Sequence, residues 1–161
     1  MKKKLFASAV FLLLFIASAG AQDLNLAVNF LQGEKSKDSH STEESFAISN
    51  SAVAYSVKYS GRNGQNRQDM EKTCTFTEQD IRNIVQTIEA KGLNVTDSLF
   101  RESSKTKSYE VYTNISMAIN INGQEYKIKI NGDTNDLDDS ALYKNSVFFI
   151  TMLRNMVESC K

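Results

Sequence analysis

The stretch Tyr109–Ile130, YEVYTNISMAININGQEYKIKI, holds the longest alternation in the chain. Tyr109, Val111, Thr113, Ile115, Met117, Ile119 and Ile121 hold the odd positions, and mostly polar or small residues hold the even ones. A period of two sends successive side chains to opposite faces of a strand, so one face is built for a core and the other for water. Asn122-Gly123 ends the run as the strongest short-range signal for a two-residue hairpin turn. Counting outward from that turn sets Ile119 opposite Tyr126, Met117 opposite Ile128 and Ile115 opposite Ile130, with Lys127 and Lys129 facing solvent. A slip of one residue would turn every apolar side chain to the wrong face.

An earlier stretch repeats the design. Val53, Tyr55, Val57 and Tyr59 alternate with Ala52, Ala54, Ser56 and Lys58, and a second Asn-Gly follows at 63–64. The same counting predicts Lys58 opposite Asp69, Val57 opposite Met70, Tyr55 opposite Lys72 and Val53 opposite Cys74. A cation then meets an acid, and apolar groups mainly meet apolar groups. The tip of this hairpin, YSGRNGQNRQD at 59–69, carries Arg62 and Arg67.

Each hairpin leads to a helix. Thr77-Glu78-Gln79-Asp80 has the spacing of a capping box, with Phe76 and Ile81 placed to staple the entry. Ile81, Ile84, Val85 and Ile88 share one helical face. Gly92 suits a left-handed terminator, so the pattern predicts a helix over 78–91. A last helix is expected over about 140–159, where Leu142, Phe149, Leu153, Met156 and Cys160 recur near helical spacing. Leu24, Leu26, Val28 and Phe30 mark a short N-terminal strand, and a further one is expected near 95–100. Residues 32–44, QGEKSKDSHSTEE, contain no large apolar side chain and read as a polar, flexible linker or loop. The fold class is therefore α+β: an antiparallel, twisted sheet of about five or six strands with two helices packed on one face. The other face is left to solvent, to the N-terminal strand or to a partner. The order strand, Asn-Gly-Gln, strand, helix occurs twice, which reads as a duplicated ββα unit or as chance recurrence of a common motif.

The chain has 161 residues, with 19 basic and 19 acidic side chains. Residues 1–21 have three lysines, an apolar run from Leu5 to Ile16 and a closing Ala19-Gly20-Ala21, the form of a bacterial-type secretory signal peptide. The apolar run is shorter than the roughly 20 residues a membrane span needs. Cleavage after Ala21 would remove three basic residues and no acid, leaving 140 residues, 22–161, at net charge −3. One exported domain in the periplasm or outside the cell is expected, with no transmembrane segment after the leader. Nucleic-acid binders are distinctly basic, so no nucleic acid is expected as a partner. Two cysteines, Cys74 and Cys160, enter an oxidising compartment, and a disulfide between them is favoured over two free thiols. Such a bridge would tie the last helix to the first hairpin.

No CxxC, HExxH, GxSxG or GxxxxGK[ST] motif occurs. The lone His40 lies in the polar stretch, where nothing local would orient it for catalysis. Asp133, Asp136, Asp138 and Asp139 form a weak calcium candidate, but Leu137 and the missing Gly break the EF-hand spacing, and helix capping accounts for the same acids. No catalytic residue, cofactor or metal is expected. Arg62 and Arg67 offer planar donors for a phosphate or carboxylate on a partner. Tyr112 is the one tyrosine out of phase with the apolar face. These three are the binding candidates. The leading expectation is a small, non-enzymatic binding module that meets an unknown macromolecule of the envelope or medium through an exposed sheet face or hairpin tips. The alternative is a carrier or enzyme for a small apolar ligand, with a pocket between sheet and helices lined by residues such as Tyr109, Met117, Phe149 and Met152.

Overall fold

The computed structural model describes residues 22–35, 40–61, 67–101 and 110–160. The expected leader, the tip containing Arg62 and the first Asn-Gly turn, and Tyr109 lie outside them. Among the described residues seven strands make one sheet. They are β1 (Leu24–Lys35), β2 (His40–Ser49), β3 (Ala52–Gly61), β4 (Met70–Thr75), β5 (Asp97–Arg101), β6 (Glu110–Ile121) and β7 (Gln124–Asp133). The helices are α1 (Glu78–Ala90), α2 (Thr134–Leu137) and α3 (Ala141–Ser159). Across the sheet the order is β4-β3-β2-β1-β6-β7-β5, and among the described residues only the β5–β7 pairing is parallel.

Both expected registers are present. Ile119 pairs with Tyr126, Met117 with Ile128 and Ile115 with Ile130. Val57 pairs with Met70, Tyr55 with Lys72 and Val53 with Cys74. Asn122 and Gly123 both take positive φ, 51° and 84°, as a two-residue turn with the twist of the flanking strands requires. Asp69 sits just beyond the ladder, where its carboxylate accepts from the Tyr59 backbone N–H at 3.0 Å.

The core faces one side. Leu26, Val28, Phe46, Ile48, Val53, Val57, Ile115, Met117, Ile119, Ile128 and Ile130 are all buried, together with Ile81, Ile84, Val85 and Ile88 of α1 and Phe149, Ile150, Leu153 and Val157 of α3. The Thr77–Asp80 capping box forms at the start of α1. Past its end Gly92 takes φ +63°, and the Leu93 N–H bonds the Ile88 carbonyl at 2.8 Å. Cys74 and Cys160 form a disulfide, with Cα atoms 6.2 Å apart, that fastens the end of α3 to the edge strand β4. Beside it the Lys72 ammonium donates to the carbonyls of Val157 at 2.6 Å and Glu158 at 3.4 Å, setting a cation where the helix dipole is negative.

The expected α+β class, a mostly antiparallel sheet with helices, holds, and three details differ. Of the three coverings left open for the second face, the N-terminal strand drops out, because it is the central strand, between β2 and β6. The sheet has seven strands rather than five or six, and the added helix α2 is capped by Asp133. Most of 32–44 is paired strand rather than linker: Gln32 and Gly33 lie opposite Thr42 and Ser41, and Thr42 also lies opposite Tyr59. Strand pairing there comes from backbone bonds, which need no apolar side chain. Residues 36–39 lie outside the described residues.

Candidate functional site

Because the helices occupy one face, the other presents the alternate residues of six consecutive strands. The register aligns them in rows. Ala118 lies opposite Ala27, Ala27 opposite Ala47, Ala47 opposite Ala54, and Ala54 opposite Thr73. Four exposed alanines thus run straight across the sheet from β6 to β3. The next row is Lys129, Ser116, Asn29, Ser45, Ser56 and Glu71, from β7 to β4. On the other side of the alanines lie Asn120, Asn25, Ser49 and Ala52.

Solvated strands ordinarily carry Thr or long charged side chains; here the centre of a wide face has only short ones. Two shallow depressions result, one of about 570 Å³ between Asn29 and Thr73 and one of about 610 Å³ between Asn25 and Lys127. Ala27 and Ala118 line both, so they are continuous. The floor is apolar methyl and strand backbone, hydroxyls and amides flank it, and Glu71, Glu125 and Lys127 stand at its ends. Such a surface suits a flat, extended partner; it lacks the enclosure that buries a small ligand.

Of the sequence candidates, Tyr112 lies on this face, at its end. It pairs with Gly33 and its ring lies across that glycine, so close that a Cβ there would come within 2.6 Å of the phenol oxygen. Tyr112 is half-buried rather than projecting. Arg67 is exposed, with its guanidinium 5.4 Å from the centre of the Tyr59 ring, whose edge packs on the covered side. Arg67 and Tyr112 are not brought into one site, and Arg62 lies outside the described residues. His40 opens β2 with Nδ1 3.4 Å from a Glu34 oxygen, so a carboxylate does accompany it, contrary to expectation.

The acids at 133–139 are spread over structural tasks. Asp133 is buried and caps α2, accepting from the Asn135 N–H at 2.9 Å, and exposed Asp139 lies 3.7 Å from Arg101. Asp138 is the C-cap of α2, and Asp136 stands in its first turn. Among the described residues no group of three or more His, Cys, Asp or Glu side chains is placed to hold a metal. Met117 and Phe149, expected to line an interlayer pocket, are buried in the core.

Sequence reasoning passed over a charged cluster under α3. Arg154 grips Glu44 with two bonds, Nε to Oε2 at 3.0 Å and a terminal nitrogen to Oε1 at 2.8 Å, and the Tyr55 hydroxyl donates to Oε2 at 3.3 Å. Burial, and then the nearby Glu44 charge, push the Tyr55 hydroxyl up to about 12. The two bonds it donates to Glu44 hold the Arg154 guanidinium above its ordinary range. This arrangement clamps a helix to a sheet, with the guanidinium and the phenol both bound to one carboxylate.

No protein-family model and no curated protein matches this chain.

Proposed function

We propose that the chain is an exported, non-enzymatic binding module whose working surface is the helix-free face of the sheet. The observation that carries this reading is the unbroken row Ala118, Ala27, Ala47, Ala54, exposed at the centre of a face six strands wide. Large charged side chains would solvate that face better; short ones leave a strip that a flat surface can approach closely. Export is supported by the Cys74–Cys160 disulfide, which persists in oxidising compartments. Among the described residues no helix is long and apolar enough to cross a membrane, which is compatible with that location.

The test is capture from envelope and culture-medium fractions of the source cells on immobilised chain, with Ala47→Arg as the control and mass spectrometry of what is retained. The side chain at 47 points outward, so the variant is expected to fold normally and to lose the specific macromolecule. Equal retention by both proteins overturns the reading.

A further inference from the structure

We infer that the occupant of the helix-free face is a second copy of this chain, packed face to face about a two-fold axis that runs along the strands between β1 and β2. The inference rests on the reading of that face as the working surface and adds the identity of what covers it.

The face is self-complementary. A half-turn about such an axis exchanges β1 with β2, β6 with β3, and β7 with β4. The alanine row then meets itself: Ala118 lies over Ala54 and Ala27 over Ala47. Alanine loses no rotamer freedom when buried, so this strip packs at low entropic cost. The neighbouring row carries its cation, Lys129, at the β7 end and its anion, Glu71, at the β4 end, both exposed. The same half-turn lays each Lys129 over Glu71 of the second copy, two ion pairs from one operation. Between them hydroxyls and amides face one another, and no like charges are opposed. Sheets that pack this way cross at about 30°, a tilt that long lysine and glutamate side chains can span.

The area is sufficient. Six strands about 4.8 Å apart and three rows about 7 Å apart give about 600 Å² per copy, hence on the order of 1,200 Å² in the pair. That is the lower bound of specific interfaces, so a reversible dimer is expected rather than an obligate one. The alanine row and the charged row answer to the same axis independently, which a heterologous partner would not require.

Sedimentation equilibrium of the purified chain over a concentration series tests the proposal. The expected result is a monomer–dimer equilibrium that Ala47→Arg abolishes. Glu71→Lys or Lys129→Glu alone turns two attractions into two repulsions and should weaken dimerisation about tenfold or more. The double reversal E71K/K129E should bring it back to near the parent value. A monomer at every concentration, a dimer indifferent to Ala47→Arg, or singles that the double reversal fails to rescue each overturn it. Should the chain stay monomeric while Ala47→Arg still loses a captured macromolecule, the second-copy inference falls and the binding-face reading stands. If neither measurement responds to Ala47→Arg, both fall.

Discussion

Glu44 is a carboxylate set among the apolar side chains of the covered face, 8% exposed, and its oxygens are divided between Arg154 and Tyr55. Removing one member of such a pair strands the other's charge, whereas replacing both with apolar groups of similar size avoids that penalty. Arg154→Ala is expected to cost about 2–3 kcal/mol in urea denaturation, and E44L/R154M to recover much of it. A loss below about 0.5 kcal/mol in the single variant would mean that the cluster holds little of the fold together. Tyr55 gives the cluster a pH signature. Its proton is held to about 12 in the folded chain, against 10.0 for an ordinary tyrosine. The group's contribution is therefore intact below pH 10 and is lost between 10 and 12, where the unfolded chain releases its proton first. Melting temperature should fall less steeply over that window in Tyr55→Phe, and parallel curves would refute the assignment. None of this was legible in the sequence. Glu44 and Arg154 are 110 residues apart, and no local pattern marks either.

At the scale of elements, the hairpin β6–β7 and the helix α1 were readable because their instructions are local: alternation, an Asn-Gly turn, a capping box. The distal arms of β1 and β2 were not, because their pairing is held by neighbouring backbones rather than announced by side chains. Gly132 illustrates the same limit at a single position. It lies beside Arg101 of β5, where a Cβ would meet the Arg101 backbone oxygen at 2.7 Å and its Cβ at 2.8 Å. Both are atoms of the strand's own frame, so relief requires β5 to move. Gly132→Ala should cost about 1–3 kcal/mol, and the loss of amide-exchange protection should be concentrated in 97–101. Unchanged protection there would show that β5 accommodates the methyl without leaving the sheet.

For the molecule as a whole, the Cys74–Cys160 disulfide spans 86 residues and joins the last helix to the sheet edge farthest from β5. On the chain-entropy account a closed loop of that size stabilises by about 4–5 kcal/mol. C74A/C160A should lower the urea midpoint accordingly with little change in far-ultraviolet circular dichroism. Equal stability of the two proteins would mean that Lys72 and the buried side of α3 hold the helix end unaided.

Local patterns in the chain specify the α+β class, two hairpin registers, the caps of α1 and the extents of both long helices. Each follows from contacts between residues close in the chain, or from an alternation that fixes which face is buried. Tertiary structure alone decided the strand order, the central position of β1, the Glu44–Arg154 clamp and the row of alanines. Ala54 and Ala118 belong to different hairpins, and only the pairing of β1 with both β2 and β6 brings Ala27 and Ala47 into line between them. Long-range strand pairing is made by backbone groups that every residue carries, and so the surface it assembles has no spelling in the sequence.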